Sequence, residues 1–167
     1  MEIRTARPDE LVELQHIENA SGEPFREIGM PEIADDDPLP LDVLTHLQAL
    51  GQVWVAATHE PVAWIAVEEI DGYAHIEQVS VHPDHARQGI GRQLIDHIDA
   101  WSSARGLAGL TLTTFRHVPW NGPYYERLGF QPVENPTPGL AAVVAQETAR
   151  GLDPTTRTCL RRDHSTV

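Results

Sequence analysis

The chain has no lysine, because all 12 basic residues among its 167 are arginine. Phosphate-loop nucleoside triphosphatases need a lysine on the nucleotide phosphates, so that class is excluded. The single cysteine, Cys159, cannot form an internal disulfide, and we expect a packed thiol rather than a nucleophile. No apolar run approaches the ~20 residues that cross a bilayer, and residues 1–5 do not resemble a secretory signal. We therefore expect a cytoplasmic protein with no membrane partner.

Basic residues of any kind are few beside acidic ones. The net charge is −13 at pH 7, and residues 1–40 hold eleven Asp or Glu against three Arg. Such a surface repels nucleic-acid phosphates, so no nucleic-acid partner is expected. It would attract a cationic amine such as a polyamine, an aminoglycoside-like sugar or a basic peptide end. The alternative is an acidic surface without any steering role.

The nine histidines do not form a metal-binding pattern. Only His82 and His85 are close in sequence, and no cysteine or carboxylate accompanies them at the spacing of a zinc site. The sequence predicts no metal.

Hydrophobic periodicity predicts one α/β domain over residues 1–167, without an internal repeat or a linker. Strands are predicted at residues 3–6, 52–58, 62–70, 73–81, 110–115, 130–133 and 157–161. Helices are predicted from Arg7 to about Ala20, at 41–50, from Ile90 to Gly106, from Asn121 and at 140–150. Residues 21–40, with four prolines and two glycines, are interpreted as a loop that either covers a site or merely connects two helices.

The most informative segment is Arg87–Gln93, which reads RQGIGRQ and lies between a predicted strand and a predicted helix. Two glycines where a helix begins let the backbone approach an anion, and the unpaired N–H groups and dipole of the first turn attract it. The pattern predicts a pyrophosphate site. The alternative is an ordinary tight turn, and the dinucleotide fingerprint is disfavoured because Leu94 stands where its third glycine would fall.

Three motifs in order, Val79–Pro83, Arg87–Ile95 and Asn121–Phe130, resemble the GNAT superfamily of acyl-CoA-dependent N-acetyltransferases over about residues 52–133. The resemblance implies a mixed β-sheet of about six to seven strands, splayed between strands four and five, with flanking helices. Acetyl-CoA would lie in that gap as a cosubstrate. The implied pantetheine contacts are Val79, Ser80 and Val81, and the implied pyrophosphate contacts are Arg87, Gln88, Gly89, Ile90, Gly91 and Arg92. One departure is Ala86, where the family usually has Arg or Gln, so we expect weaker or shifted phosphate contact.

The resemblance also implies a catalytic acid. Tyr125 matches the family tyrosine that commonly faces the thioester sulfur. A phenol with a pKa near ~10 protonates a thiolate whose thiol lies near ~8.5 only modestly uphill. The alternatives are that Tyr125 packs in the core and that its neighbour Tyr124 is the acid.

The general base has several candidates. Glu77 lies on strand four, where some family members use a carboxylate, and two-residue alternation places His75 on the same face. Either side chain, or a chain of waters, could remove the proton of the ammonium. Asn121 matches the family asparagine beside the cofactor arm and also suits a helix N-cap. The main-chain N–H of Val79 or Val81 is the implied oxyanion donor.

Together these features predict transfer of an acetyl group to a primary amine of a small molecule or peptide, by direct attack in a ternary complex. Two alternatives stay open, namely a catalytically silent acyl-CoA-binding module that regulates a partner and a protein N-terminal acetyltransferase. Dimers are common in the family, and no residue pattern here indicates one.

Overall fold

The computed structural model describes residues 1–164, which form an α/β fold. Its strands are β1 (Glu2–Thr5), β2 (Val53–Ala57), β3 (Pro61–Ile70), β4 (Tyr73–Val81), β5 (Gly109–Phe115), β6 (Gln131–Pro132) and β7 (Arg157–Asp163). Its helices are α1 (Leu11–Gly22), α2 (Pro24–Glu27), α3 (Pro31–Ala34), α4 (Leu41–Ala49), α5 (Ile90–Ala104), α6 (Gly122–Arg127) and α7 (Pro138–Ala149). Within residues 1–164, no helix is both long enough and apolar enough to span a membrane.

The strands form one sheet in the order β1-β2-β3-β4-β5-β7-β6. β1 pairs with β2, β2 with β3, and β7 with both β5 and β6, all in antiparallel orientation. β4 and β5 are parallel, and their ladder consists of the Cα pairs Ala74–Leu110 and His75–Thr111. The prediction of a mixed sheet of six to seven strands with flanking helices is therefore confirmed.

Two compact units make up the chain. The first comprises residues 1–67 and 77–97, and the second comprises residues 68–76 and those from 98 onward. β3, β4 and α5 each run from one unit into the other.

The first unit has its core where α1 and α4 cover one face of β2. The core residues are Ala6, Leu11, Leu14, Ile17, Leu44, Leu47, Val53, Val55, Ala57, Trp64 and Ala66. All of β2 is buried because the opposite face is also covered, with Trp54 in edge contact with His97 of α5 at 6.1 Å. A strand buried on both faces explains the continuous apolar run VWVAA.

Ile17→Ala is expected to lower the free energy of unfolding by about 2–5 kcal/mol, because Ile17 is 1% exposed in this core. Val12→Ala is the matched control on the same helix, since Val12 is 52% exposed and its truncation should change stability by only about 0.5 kcal/mol. Urea unfolding of both variants measures the difference. Equal destabilisation would mean that α1 does not bury the face described here.

The second unit places different elements on the two faces of β7. On one face, Arg157 is bonded to Glu147 of α7. On the other face, Arg162 pairs with Asp99 of α5 at 2.6 Å and donates to the carbonyl of Leu128 at 2.9 Å. Residues alternate sides along a strand, so α7 covers one face of β7 and the C-terminal part of α5, with the end of α6, covers the other.

The turn between β3 and β4 holds the start of α7. Asp71 and Gly72 have φ of 53° and 81°, as the predicted tight hairpin requires. The Asp71 carboxylate accepts a hydrogen bond from the N–H of Gly139 at 2.6 Å, and hydrogen bonds from Thr137 and Gly139 hold its pKa below the usual value. A Cβ on Gly139 would lie 2.6 Å from that same carboxylate oxygen. A side chain at position 139 would displace the Asp71 carboxylate from this position.

The interpretation of residues 21–40 as loop was wrong in part. The structure has α2 and α3 there, each four residues long and each beginning with a proline. Proline suits the first turn of a helix, where its missing N–H would have no partner. Arg26 of α2 is bonded to Asp35 just after α3, which links the two short helices.

Candidate functional site

The glycine-containing segment of the first unit has the conformation that an anion site requires. Arg87 and Gly89 have φ of 62° and 75°, in the left-handed region that side chains disfavour. Residues 86–89 are exposed, and a Cβ built on Gly89 would meet no heavy atom within 4 Å. Gly89 is therefore needed for its backbone angle rather than for close packing.

The first turn of α5 presents its amides beside this segment. The helix begins at Ile90, and its first hydrogen bond runs from the N–H of Gln93 to the carbonyl of Gly89, at 3.0 Å. The N–H groups before Gln93 have no partner within the helix, and the dipole adds positive potential at that end. Ile90 and Leu94, which are 4% and 0% exposed, fix the inner face of the helix. This arrangement can hold a diphosphate through main-chain donors.

The last five residues of β4 belong to the same unit and lead into this segment. Ser80 is buried, and its hydroxyl accepts a hydrogen bond from the side-chain amide of Gln78 at 3.0 Å. Glu77, Val79 and Val81 are half-buried. All three lie on one side of β4 by alternation, and all three lie beyond the β5 ladder, which ends at His75.

His75 lies in the second unit and is buried. Only 2% of its surface is exposed, and Nδ1 is 2.9 Å from the hydroxyl of Thr111 on β5. Burial lowers the pKa of His75 to about 4, although the negative charges of Glu147 and Glu68 act in the opposite direction. The imidazole is therefore neutral at physiological pH.

Neutral burial of His75 makes the stability of the protein depend on pH. The pKa is about 6.5 in the unfolded chain and about 4 in the folded chain, so the unfolded chain binds more protons between these values. The contribution is present above pH 6.5 and is lost as pH falls toward 4. Between pH 7 and pH 5, wild type should lose about 2 kcal/mol more stability than His75→Gln. Urea unfolding of both proteins at the two pH values tests this.

Titration of Glu18 changes stability with pH in the opposite direction to titration of His75. Only the difference between wild type and His75→Gln therefore reports on His75. Burial raises the pKa of Glu18 on α1 to about 7, although its carboxylate accepts the N–H of Leu39 at 3.0 Å. Its contribution is present below pH 4.5 and is lost as pH rises through 7. The two effects largely cancel in wild type. Equal pH dependence in wild type and His75→Gln would contradict the buried neutral state of His75.

Tyr125 lies on α6 in the second unit, with 8% of its surface exposed. Its ring is in edge contact with Tyr124 at 5.3 Å and with Phe130 at 5.9 Å. Burial raises the pKa of Tyr125, and the neighbouring Tyr124 adds to the shift. The phenol therefore stays protonated at physiological pH, as a proton donor must, and the raised pKa makes transfer to a thiolate more uphill than for an ordinary tyrosine. Tyr124 is only half-buried.

Asn121 occupies the N-cap position of α6, but its side chain makes no capping hydrogen bond. The interpretation of this side chain as a cap was therefore wrong. Its Nδ2 donates to the carbonyl of Trp120 at 3.2 Å, and its Oδ1 is buried without a partner. A buried acceptor without a donor is costly, and a ligand N–H would satisfy it. The next residue is Gly122, where a Cβ would lie 2.6 Å from the carbonyl oxygen of Arg116. This close approach explains the glycine.

Sequence reasoning missed a buried ionic cluster in the second unit. Glu147 of α7 is 3.1 Å from Arg157 of β7, and it accepts a hydrogen bond from Thr113 of β5 at 2.5 Å. Glu147 follows Leu140 by seven residues, so it extends the apolar side of α7. A carboxylate at that spacing was the available signal. Within residues 1–164, no group of three or more His, Cys, Asp or Glu is arranged to hold a metal.

Comparison with known families settles the class of the chain. A profile of the acetyltransferase (GNAT) domain matches residues 49–132. The chain belongs to the GNAT family. This membership confirms the resemblance and the predicted enzyme class, an acyltransferase.

Solved GNAT structures share the fold over almost the whole chain. The ribosomal-protein-S18-alanine N-acetyltransferase from Escherichia coli has a TM-score of 0.70 at 19% identity, covering 99% of this chain and 95% of that one. The PaiA N-acetyltransferase from Thermoplasma acidophilum, in complex with coenzyme A, has a TM-score of 0.69 at 13% identity and covers 98% of each. N-acetylglutamate synthase from Neisseria gonorrhoeae, complexed with coenzyme A and N-acetyl-glutamate, has a TM-score of 0.71 at 18% identity, covering 99% of this chain and 35% of that one.

Proposed function

We propose that this GNAT protein transfers the acetyl group of acetyl-CoA to a primary amine of a small molecule or peptide, by direct attack in a ternary complex. The observation that carries the proposal is the exposed turn at Arg87 and Gly89, which lies between β4 and α5 at the start of the helix. Family membership and neighbours solved with coenzyme A support it. A cytoplasmic location stays a prediction, and a homodimer, which is common in the family, is untested.

The residues present fit acetyl-CoA. The main chain of Arg87, Gln88, Gly89, Ile90, Gly91 and Arg92 would hold the diphosphate. Val79, Ser80 and Val81 would pair with the amides of the pantetheine arm, since they lie beyond the β5 ladder. The buried and unpartnered Oδ1 of Asn121 would accept an N–H of the same arm. When bound, acetyl-CoA supplies an activated acetyl group.

The chain's own groups would then handle the charges and protons. An amine attacks only as its neutral form, so a base must remove a proton. We propose Glu77 rather than His75, since Glu77 is half-buried while His75 is 2% exposed with its pKa lowered to about 4. Tyr125 would donate a proton to the departing sulfur. The N–H of Val79 or Val81 would stabilise negative charge on the carbonyl oxygen.

A protein N-terminus is the second candidate acceptor. It is favoured by the likeness to the ribosomal-protein-S18-alanine N-acetyltransferase, whose name describes a protein substrate. A panel of folded proteins with free N-termini, short peptides and small amines, read by mass spectrometry, separates the two acceptors. Acetylation of protein N-termini alone would support the second candidate.

Titration calorimetry with acetyl-CoA and with coenzyme A tests the proposal at its first step. Both should bind, and pantetheine, which lacks the diphosphate, should bind about 10–100-fold more weakly because it loses charge-assisted hydrogen bonds to the turn. Absence of binding by both CoA species would contradict the proposal. Binding without acetylation of any amine would favour a silent acyl-CoA-binding module instead.

A further inference from the structure

The second unit has a half-open cavity of about 440 Å³ beneath α7, with several exposed residues at its rim. β5, β7 and the segments flanking α7 form its walls. Thr113, at the wall, lies on the same side of β5 as Thr111, which bonds to His75. Cavities of about 300–1,000 Å³ are the size that holds small ligands in proteins. None of the residues that line this cavity has a role in the proposed reaction.

An ion pair forms part of the wall. The side chains of Glu147 and Arg157 are 10% and 15% exposed, and the Arg157 guanidinium stacks on the ring of Phe115 at 4.6 Å. Both carboxylate oxygens of Glu147 have hydrogen-bond partners, one in Arg157 and one in Thr113. Arg157 keeps one donor without a partner, because its Nε is buried and makes no hydrogen bond. A nearly dry ion pair adds little stability compared with apolar packing, so its presence at a cavity calls for another role.

Charges of both signs line the cavity in equal number. Arg116 and Glu134 are exposed at its edge, and Arg157 and Glu147 are buried deeper. Burial raises the pKa of the Cys159 thiol, so this lining residue adds no charge. A polyamine would meet two guanidinium groups here, and a polyanion would meet two carboxylates. A ligand with one charge of each sign matches the lining best.

The rest of the lining is largely apolar. Pro132, Val133, Pro136, Val144 and Pro154 all face the cavity. These side chains offer no hydrogen bonds, and they favour an apolar group on the ligand.

We propose that this cavity binds the acceptor, and that the acceptor is a small zwitterion, an amino acid with an apolar side chain. The guanidinium groups of Arg157 and Arg116 bind its carboxylate, and the carboxylates of Glu147 and Glu134 attract its ammonium. The apolar side chain packs against the proline and valine wall. This inference rests on the proposed acetyltransferase function.

Calorimetry on the full chain with coenzyme A present tests the inference, using matched sets of three probes. One set is L-phenylalanine, 2-phenylethylamine and 3-phenylpropanoate, and equivalent sets are built on leucine and methionine. The amino acid of at least one set should bind about 10–100-fold more tightly than both relatives, each of which lacks one charge. Equal binding of amine and amino acid in every set, or no binding in any set, would overturn the inference.

Arg157→Gln should reduce the preference for the amino acid over the amine to about 3-fold or less. Arg105→Gln is the matched control, because Arg105 forms an ion pair with Glu69 in the same unit, but the pair is exposed and outside the cavity. It should keep the full preference. An Arg157→Gln protein that is folded and keeps the preference would overturn the assignment of the carboxylate contact.

Two further variants keep the test decisive if Arg157→Gln does not fold. Val144→Phe fills the cavity while leaving all four charged lining residues in the chain, and it should weaken all amino-acid binding about 10-fold or more. Arg116→Gln, at an exposed position, should weaken binding of the amino acid about 10-fold and should change binding of the amine little. Unchanged affinities in both variants would overturn the inference. The acetyl-CoA titration is independent, so its failure identifies a failure of the proposed function instead.

Discussion

Tyr125→Phe is expected to lower turnover about 100-fold, at the low end of what general acid catalysis contributes. The change removes one hydroxyl and leaves the ring, so the edge contacts to Tyr124 and Phe130 should persist. The dissociation constant for coenzyme A should stay within about twofold, because the proposed cofactor contacts are main-chain groups and Asn121. Turnover is measured as free coenzyme A released, and affinity by calorimetry.

Tyr124→Phe is the matched control for this prediction. It removes the corresponding hydroxyl from the adjacent tyrosine. The Tyr124 ring is half-buried and lies 5.9 Å from the guanidinium of Arg127. Turnover should change by about twofold or less. If Tyr124→Phe lost turnover and Tyr125→Phe did not, the acid would be Tyr124. Unchanged turnover in both variants would remove the phenol from the mechanism.

Gly89→Ala should weaken binding of coenzyme A about 10–100-fold, the loss expected when one or two charge-assisted hydrogen bonds are disturbed. Gly89 has φ of 75°, and alanine in that region costs roughly 1–2 kcal/mol. Relief of this strain would turn the amides that open α5 away from the diphosphate. Calorimetry with coenzyme A gives the affinity, and urea unfolding gives the stability.

Gly106→Ala separates the loss of affinity from the loss of stability. Gly106 follows the other end of α5, has the same φ of 75°, and likewise has no heavy atom within 4 Å of a built Cβ. Both variants should lose a similar 1–2 kcal/mol of stability. Only Gly89→Ala should lose affinity for coenzyme A. Equal affinity in the two variants would contradict a diphosphate site at Gly89.

Local sequence signals predicted most of the regular structure. β4 begins and ends at the predicted residues, Tyr73 and Val81, because the Asp71–Gly72 turn and the His82–Pro83 pair delimit an alternating run. α5 was recognised from its apolar spacing and from glycines at both ends. The glycines at the start of α5 also indicated that the segment is a candidate anion site. These features depend on neighbours in sequence, so no tertiary contact was needed to find them.

Features that depend on tertiary contacts were not predictable. α2 and α3 are four residues each, too short for periodicity to show. The orphaned Oδ1 of Asn121 became visible only when the burial of α6 was known. Thr113 is 34 residues from Glu147 in sequence, and both meet Arg157 because β7 lies beside β5 with α7 over both. His75 was a reasonable base until its burial was known.

The most direct test of the central claim is an assay of purified protein with acetyl-CoA and an amine panel that includes amino acids, polyamines and peptides. Coenzyme A release and the acetylated amine are both followed. The account predicts that each released coenzyme A is matched by one acetylated amine, and that no acetyl group stays on the protein when the amine is omitted. Binding of acetyl-CoA without any acetylated amine, or acetyl transfer through a covalent acetyl-protein, would contradict it.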